Sequence, residues 1–420
     1  MAGLFGTSGI RKRVAELPEG FSYDLGRAIA CLLEGSVACG RDTRESGPAL
    51  QKDFEKGLLE SGRDVISMGI APTPTVCVAT EDAGIASVIT ASHNPPDYNG
   101  FKFFDSLGAL KPQAEARVEH AFDQKARGDG QGIRKEADYS ERHIKRIMSK
   151  VGEAEGVKVL LDCSGGAGSQ VTPKLLDAMG CQATIINDGI DGVFPHGLEP
   201  TEKNLSQTMD LAKKADIDIA FAHDGDADRT SAIGADGRMI EWDTFLTVLA
   251  AGHSKVVTTV DASMRIEEFC KKVYRVPVGD VAVVDGIRKN GAGFGGEPSG
   301  TYIFPDIHIF PDGVATVAKA SKLIANGAFY EIVEDVPTYP VSRLKIPCGS
   351  HEKESIMEGV KKAAAGENYT DIDGVRVERD WGWVLIRPSG TEDYMRITAE
   401  AQDEDRLAQL VKEAKAWLSA

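Results

Sequence analysis

Short apolar runs alternate with amphipathic stretches through the first third of this 420-residue chain. Residues 37–39, 65–68 and 86–90 are typical of buried strands, and helices are predicted from about Ser46 to Gly62 and over residues 74–83. The order strand, helix, strand, helix, strand predicts right-handed crossovers and a largely parallel sheet. This alternation therefore predicts an α/β fold for the N-terminal part.

The same alternation recurs further along the chain. A second unit is expected to contain strands at 157–161 and 217–222, and a third to contain a strand at 256–260 followed by a helix from about Met264 to Lys272. Beyond about Tyr339 the pattern changes to a smaller α+β unit. Because 420 residues are more than a single hydrophobic core usually serves, we expect several domains. The predicted α/β domains are 1–150, 151–250 and 251–337, and the α+β domain is 338–420.

Charge and composition restrict the class of partner. The formal net charge is −16, which argues against a nucleic-acid or anionic-membrane partner, since both favour an excess of Lys and Arg. No apolar run approaches the length of a membrane span, and the N-terminus lacks the features of a signal peptide. The seven cysteines are scattered and form no CxxC pair. We therefore expect reduced thiols in a cytoplasmic protein.

Three carboxylates at alternate positions, Asp224, Asp226 and Asp228, follow the strand predicted at 217–222. Oxygen ligands from one tight loop suit a hard divalent cation such as Mg²⁺. A calcium loop of the EF-hand type would need glycine at its sixth position and glutamate at its twelfth, where this chain has Arg229 and Ala235. A solvated acidic turn is the alternative, but three like charges so close repel without a cation among them.

A hydroxyl nucleophile is predicted in the segment 90–102, which begins at the carboxyl end of a strand, where open α/β sheets place their ligands. Ser92 would attack or carry a phosphoryl group, and it needs activation because an unassisted serine is a poor nucleophile. His93 and Lys102 are candidates to handle protons or to neutralise phosphate charge. The alternative is a polar turn, since Asn94, Pro95 and other residues here favour turns.

Two further loops carry candidate substrate-binding groups. The glycine-flanked loop at 295–300 offers the Glu297 carboxylate and the Ser299 hydroxyl, which suit sugar hydroxyls, although a plain turn would look the same. A stronger anion-binding signal lies at 387–392, where a guanidinium, hydroxyls and backbone amides surround a glycine. The candidate phosphate ligands in this loop are Arg387, Ser389, Gly390 and Thr391. Arg396, a basic residue on the following strand, is a further candidate.

The sequence lacks the glycine-rich motifs that are typical of nucleotide-cofactor binding. The turn at 165–168 does not match G-x-G-x-x-G, and no G-x-x-x-x-G-K-[ST] occurs. Segments 6–11 and 40–44 are candidates to line a basic cleft or to serve as structural turns.

Taken together in this order, the segments 5–11, 40–44, 90–102, 224–229, 295–300 and 387–391 resemble the α-D-phosphohexomutase superfamily over essentially the whole chain. The resemblance implies three consecutive mixed α/β domains and a smaller C-terminal α+β domain around a central cleft. It implies that Ser92 is the phosphoserine, that Asp224, Asp226 and Asp228 bind Mg²⁺, and that a phosphoserine oxygen completes the metal shell.

The resemblance also implies roles for other residues. Arg11, His93 and Lys102 match positions near the reacting oxygens, and Arg229, which closes the metal motif, is counted with these candidate catalytic residues. Glu297 and Ser299 match the sugar-binding loop. The loop beginning at Arg387 matches the one that holds the phosphate not being transferred.

The implied reaction interconverts hexose or hexosamine 6-phosphates and 1-phosphates through a sugar bisphosphate. The run Glu-Pro-Ser-Gly-Thr at 297–301 is similar to that of archaeal members assigned as phosphoglucosamine mutases. Phosphoglucomutase or phosphomannomutase activity is the alternative, followed by a metal-dependent sugar phosphatase. An aspartyl phosphatase would carry Asp-x-Asp-Gly-Thr/Val at the loop after the strand at 217–222, where this chain has Ala227 and Asp228 after the second aspartate. A non-catalytic sugar-phosphate sensor would lack the nucleophile or a metal ligand, and this chain has all four of these residues. The number of subunits stays open, with a homodimer among the alternatives.

Overall fold

The computed structural model describes residues 3–6, 9–32, 34–389 and 393–418. The chain divides into two compact units, the first formed by residues 1–245 and 299–331 and the second by residues 246–298 and 332–420. The chain passes from one unit to the other three times: within the helix Trp242–Ala250, between Pro298 and Ser299, and within the helix Ala328–Asp335.

The N-terminal sheet of the first unit has the strand order β1-β5-β4-β2-β3-β7, with β6 beside β5. Its strands are β1 Ile10–Arg13, β2 Val37–Arg41, β3 Val65–Ile70, β4 Ile85–Ile89, β5 Tyr98–Asp105, β6 Gly108–Ala109 and β7 Arg134–Glu136. The accompanying helices are α1 Phe21–Leu32, α2 Gly47–Glu60, α3 Thr73–Val78 and α4 Pro112–Asp123. The predicted strands and helices of this region lie within a few residues of these bounds. The helix predicted at 74–83 ends earlier, because the chain tightens into a 3₁₀ turn at Ala79–Glu81.

The prediction of a largely parallel sheet is confirmed for the three strands on which it rests, and β5 is the strand that runs the other way. Strand β2 is parallel to β3 and β4, and β3 is parallel to β7, but β5 runs antiparallel to both β4 and β1. The segment between β4 and β5 is too short for a crossover helix, so the chain can only turn back beside β4. This reversal places the Ser92 loop at the end of β4.

The second sheet of the first unit has the order β11-β10-β8-β9. Its elements are α5 Ser140–Val151, β8 Lys158–Asp162, α6 Thr172–Ala178, β9 Gln182–Ile186, α7 Ser206–Ala212, β10 Ile219–His223, β11 Thr230–Gly234 and α8 Trp242–Ala250. Strand β10 is parallel to β8 and antiparallel to β11. The three aspartates therefore lie in the tight connection between β10 and β11.

The second unit contains the parallel strands β12 Val256–Thr259, β13 Val273–Val276 and β14 Phe294–Gly296, with helix α9 Asp280–Asn290. The helix predicted from about Met264 to Lys272 is wrong in extent: a 3₁₀ helix spans only Met264–Glu268. The Ser263 side chain accepts the Arg265 amide, and Glu400 accepts the Met264 amide at 2.8 Å. These two side chains bind the first amides of the turn, and the chain then leads into β13.

The C-terminal part of the second unit is an antiparallel sheet of order β16-β20-β19-β18-β17, as expected for an α+β domain. The chain reaches this sheet through β15 Tyr302–Ile303 and α10 Gly313–Ala325, which belong to the first unit, and then through α11 Ala328–Asp335, within which it enters the second unit. Its own elements are β16 Val341–Pro347, α12 Lys353–Ala363, β17 Tyr369–Thr370, β18 Val375–Arg379, β19 Gly382–Pro388, β20 Tyr394–Ala401 and α13 Glu404–Trp417.

One face of this C-terminal sheet is apolar. Val384, Ile386 and Ile397 are fully buried in a cluster with Val360 of α12 and Leu410 of α13. Because side chains alternate along a strand, Arg387 and Arg396 project from the other face. Across the described residues, none of the helices has the length and apolar character needed to cross a membrane.

Candidate active site

Ser92 lies just after β4 in a strained backbone conformation. Its φ is 51°, in the left-handed region that residues other than glycine seldom adopt. The Ser92 amide donates to Thr90 Oγ1 at 2.8 Å, and the Ser92 hydroxyl donates to Asp224 Oδ2 at 2.6 Å. The side chain is almost fully buried. The fold thus brings the predicted nucleophile into direct contact with the predicted metal loop, across 132 residues of sequence.

Arg44 holds the backbone of the Ser92 loop. Its guanidinium is fully buried and pairs with Asp42 at 3.0 Å, while Asp42 also accepts the Thr90 hydroxyl at 2.6 Å. The other acceptors of this guanidinium are the carbonyl oxygens of Ser92 (2.8 Å), Asn94 (2.7 Å), Pro95 (2.6 Å) and Tyr98 (2.8 Å). Burial raises the pKa of Asp42, although Arg44 and Thr90 oppose that rise. These contacts favour the interpretation of segment 40–44 as a structural turn, in which Arg44 binds the Ser92 loop, over the interpretation that Arg44 lines a basic cleft.

The three aspartates form a compact cluster after β10. One carboxylate oxygen from each of Asp224, Asp226 and Asp228 lies within 4.8 Å of the others. Within the described part of the chain, the Oδ1 atoms of Asp226 and Asp228 are buried and have no hydrogen-bond partner. Buried carboxylate oxygens without partners are unfavourable unless a cation binds them. The donor set is all oxygen, so these residues fit a hard divalent cation.

Charge at the cluster is only partly balanced by protein groups. Lys102 Nζ contacts Asp226 Oδ2 at 2.7 Å and also pairs with Asp228. Burial alone would lower the pKa of Lys102, but Asp226 and Asp228 raise it, so Lys102 stays charged. Burial would raise the pKa of Asp226, yet Lys102 and Thr73 hold it at about 2. Burial and the neighbouring Asp228 and Asp226 raise the pKa of Asp224 well above its usual value. A bound cation would favour the charged form of Asp224.

The remaining candidate catalytic residues surround Ser92. His93 Nδ1 lies 3.4 Å from Ser92 Oγ. Burial, with the charges of Arg229 and Arg11, lowers the pKa of His93 to about 3, so its imidazole is neutral near pH 7. Arg11, on β1 opposite Gly100 of β5, reaches Asn94 Oδ1 at 3.5 Å. The Arg229 amide donates to Asp224 Oδ1 at 3.3 Å.

Thr73 was missed by the sequence analysis. Its hydroxyl donates to Asp226 Oδ2 at 2.5 Å, and its amide donates to the Asp226 carbonyl oxygen at 2.9 Å. Thr73 begins α3, far from the metal motif along the chain. A threonine at the first turn of a helix is so common that no sequence signal separates this one from others.

The second unit holds predicted substrate-binding residues of two kinds. Glu297 follows β14, is largely buried and accepts the Gly279 amide at 2.8 Å. Arg387 on β19 lies opposite Arg396 on β20, which in turn lies opposite Lys345 on β16. Adjacent strands are about 4.8 Å apart, so three cations form a row across the sheet. Such a row favours a bound anion, and Asp373 already supplies one negative charge to Arg387 at 2.9 Å.

A cavity of about 370 Å³ lies against this row. Its charged lining residues are Asp261, Arg343, Lys345, Arg387 and Arg396. Lys345 and Arg343 were not singled out from the sequence, because alternating basic residues on an edge strand are usually a solvated face.

The other predicted substrate-binding residues are distributed as follows. The Ser389 carbonyl oxygen accepts from Lys353 Nζ at 2.7 Å. Ser299 belongs to the first compact unit and lies in the turn after Pro298. Gly390 and Thr391 lie outside the described residues, as do Thr7 and Ser8 of the segment 6–11.

Four family profiles match this chain in order. The phosphoglucomutase/phosphomannomutase alpha/beta/alpha domains I, II and III match residues 2–128, 137–237 and 243–339. The phosphoglucomutase/phosphomannomutase C-terminal domain matches residues 344–416. These matches cover most of the chain and agree with three α/β domains followed by a smaller domain.

Individual relatives match over nearly the full length. A probable phosphoglucosamine mutase of Methanopyrus kandleri is 42% identical over 443 residues, covering 98% of this chain and 96% of the relative. A phosphoglucosamine mutase of Methanococcus maripaludis is 37% identical over 437 residues, covering 97% of each chain. The crystal structure of a phosphoglucomutase/phosphomannomutase family protein from Burkholderia thailandensis superposes with a TM-score of 0.89, at 26% identity over 99% of this chain and 96% of that one.

The family assignment follows from these matches. They agree with the order of the sequence motifs and with an aspartate cluster that can hold a divalent metal beside Ser92. This chain belongs to the phosphoglucomutase/phosphomannomutase family of the α-D-phosphohexomutase superfamily and is a phosphosugar mutase.

Proposed function

We propose that this phosphosugar mutase interconverts glucosamine 6-phosphate and glucosamine 1-phosphate, with Ser92 carrying the phosphoryl group that is exchanged. The observation that carries the proposal is the 2.6 Å contact between Ser92 Oγ and Asp224 in the carboxylate cluster. The preference for glucosamine rests on the relatives, since matches at 37–42% identity over nearly the whole chain are named phosphoglucosamine mutases or probable ones.

The proposed chemistry starts with a phosphate ester on Ser92. In the first transfer the bond from phosphorus to Ser92 Oγ breaks, and a new bond forms from phosphorus to a sugar hydroxyl oxygen. The proton lost by that hydroxyl is balanced by the proton that Ser92 Oγ gains. The product is a sugar bisphosphate, and the reverse transfer of its other phosphoryl group restores the ester on Ser92. No co-substrate is consumed.

The residues near Ser92 stabilise the charge on the transferring group. Mg²⁺ is the proposed cation at Asp224, Asp226 and Asp228, and when bound it would withdraw negative charge from the phosphoryl oxygens. Lys102, Arg11 and Arg229 are proposed to supply further positive charge, which is the main demand in phosphoryl transfer. The neutral imidazole of His93 is proposed to hydrogen-bond to Ser92 Oγ, because a pKa of about 3 makes it a weak proton acceptor at neutral pH.

The substrate-binding residues are also proposals. We assign the sugar hydroxyls to Glu297 and Ser299, and the phosphate that is not being transferred to the loop that begins at Arg387. That loop supplies Ser389, Gly390 and Thr391, and Arg396 extends its positive charge. The row of cations on the C-terminal sheet supports this assignment, because a phosphate would relieve their mutual repulsion.

The cytoplasm is the proposed location. The cysteines are free thiols, and Cys39, Cys77, Cys163 and Cys270 are buried. Buried reduced thiols are usual in proteins of a reducing compartment.

A comparison of sugar phosphates tests the proposed substrate. Glucosamine, glucose and mannose 6-phosphates would each be supplied with a trace of the matching bisphosphate, and formation of the 1-phosphate would be measured. We expect kcat/KM to be at least about tenfold higher for glucosamine 6-phosphate. A preference for glucose or mannose would overturn the sugar assignment, and net release of inorganic phosphate without isomerisation would indicate a phosphatase.

A further inference from the structure

A turn in the second unit brings Asp373 against Arg387. The turn connects β17 to β18 and ends at Gly374, whose φ is 80°. A Cβ atom at position 374 would lie 2.4 Å from the Ile386 carbonyl oxygen and 2.4 Å from Arg387 Cγ. Only glycine allows this close approach. The turn is therefore built to lie on Arg387.

The Asp373 carboxylate binds two groups through one oxygen. Asp373 Oδ2 accepts from Arg387 Nη2 at 2.9 Å and from the Val278 amide at 3.0 Å. About a quarter or less of each side chain is exposed, 25% for Arg387 and 21% for Asp373. A partly buried, charge-assisted contact of this kind fixes the direction of a guanidinium.

The segment that Asp373 contacts also hydrogen-bonds to Glu297, the residue predicted to bind the sugar. The Gly279 amide, next to that of Val278, donates to Glu297 Oε1 at 2.8 Å. Two consecutive amides are thus bound by two carboxylates, Asp373 on one side and Glu297 on the other. Arg387, Asp373, the turn at 278–279 and Glu297 form a continuous hydrogen-bonded path.

We infer that Asp373 is a positioning residue that sets the spacing between the Glu297 carboxylate and the Arg387 guanidinium. The inference rests on the proposed function, in which one sugar phosphate engages Glu297 through its ring and Arg387 through the phosphate that is not being transferred. A substrate that spans two groups binds well only when their spacing matches its own length. Asp373 touches neither end of the substrate and acts through Arg387 and the 278–279 turn.

This role differs from that of an ordinary stabilising ion pair. Asp373→Asn removes a negative charge beside a phosphate-binding guanidinium, so inorganic phosphate alone should bind as well as before or more tightly. A sugar phosphate also depends on the lost spacing and should bind more weakly. The two ligands are therefore expected to respond in different directions.

The experiment measures KM for glucosamine 6-phosphate and the inhibition constant of inorganic phosphate in two variants. For Asp373→Asn we expect KM to rise about tenfold or more, since hydrogen bonds to charged groups are involved, while the inhibition constant stays within about twofold or falls. For Asp373→Glu, which keeps the charge but lengthens the side chain, we expect KM to rise as well. Asp371→Asn is the matched control in the same turn, because Asp371 pairs with the exposed Lys361 at 2.8 Å, and it should leave both constants unchanged.

An unchanged KM in Asp373→Asn, an equal rise of both constants, or full rescue by Asp373→Glu would overturn the inference. Thermal unfolding of each variant verifies that the protein is folded, and the glutamate variant carries the test if the asparagine variant is unstable. Failure of the proposed function would look different, because the unaltered enzyme and Asp371→Asn would then also fail to turn over glucosamine 6-phosphate.

Discussion

At Ser92, three properties that rarely coincide in a serine meet in one residue. The side chain is buried, the backbone is left-handed, and the hydroxyl donates to a carboxylate of the aspartate cluster that could hold a divalent cation. Strained backbone at a buried polar residue persists only when the surroundings over-determine it. Here the surroundings are Thr90, which accepts the Ser92 amide, and Arg44, which binds the Ser92 carbonyl oxygen.

Replacement of Ser92 by alanine tests the proposed nucleophile. Ser92→Ala should lower mutase turnover by at least about 1,000-fold, because no other group can carry the phosphoryl intermediate. The measurement is the steady-state rate with glucosamine 6-phosphate and bisphosphate primer. Ser106→Ala, in the exposed turn after β5, is the control and should keep full activity. Substantial turnover in Ser92→Ala would rule out the assignment.

Among the elements, the connection from β4 to β5 matters most for function. It carries Ser92 at its start and leads directly into Lys102 on β5, so one reversal of the chain supplies both the nucleophile and a cation of the carboxylate cluster. Its conformation depends on a single guanidinium that binds three of its carbonyl oxygens and that of Tyr98 at the start of β5.

Arg44→Lys should therefore be strongly destabilising although it keeps the charge. An ammonium has three donors and no planar fork, so several buried carbonyl oxygens would lose their partner. We expect the free energy of unfolding to fall by about 3 kcal/mol, measured by urea denaturation. Arg13→Lys, at an exposed ion pair with Asp97, should change it by less than about 0.5 kcal/mol. Equal effects of the two changes would show that the contacts of Arg44 are not important.

Gly225 lies where the metal loop meets the Ser92 loop. A Cβ atom at this position would be 2.9 Å from the Ser92 carbonyl oxygen, which is backbone and cannot easily move. Gly225→Ala should separate the two loops and lower kcat about tenfold or more, because small misplacements of reacting groups are costly. Gly189→Ala, whose Cβ would meet only the Asp191 side chain at 3.5 Å, is the control. Normal kcat in Gly225→Ala would argue against close contact between the loops.

At the scale of the whole molecule, this acidic chain nevertheless places basic side chains at both groups of candidate site residues. The net charge is −16, yet Arg343, Lys345, Arg387 and Arg396 line one cavity in the second unit, and Lys102 lies beside Asp226 and Asp228 in the first. An anionic substrate needs such local positive charge on a protein of this overall sign.

Metal removal should abolish the activity of the intact enzyme. Chelation with EDTA is expected to stop turnover, and Mg²⁺ is expected to restore it. In Asp226→Asn the Mg²⁺ concentration for half-maximal activity should rise at least about tenfold, since even outer-shell changes have effects of that size. Asp236→Asn, on the exposed turn after β11, is the control. Full activity after exhaustive chelation would contradict a metal-dependent reaction.

The sequence predicted the fold class because strand and helix periodicities are local, and the family profiles confirm three α/β domains and a smaller C-terminal domain. It also pointed to Ser92 and the three aspartates, because carboxylates at alternate positions and a serine directly after a strand are local patterns. The antiparallel β5 was not predicted, since pairing direction depends on the length of a connection and not on strand composition. The contacts of Arg44, Thr73 and Asp373 involve backbone groups or distant residues, which leave no local pattern.

Phosphopeptide mapping tests directly whether Ser92 carries the phosphoryl group that is exchanged. The enzyme would be labelled with radioactive glucosamine 1,6-bisphosphate, quenched, digested and mapped, and a parallel sample would be chased with unlabelled glucosamine 6-phosphate before the quench. We expect the label to reside on the peptide containing Ser92 and to leave it for the sugar at least as fast as the enzyme turns over. Label on another residue, or a chase slower than turnover, would contradict it.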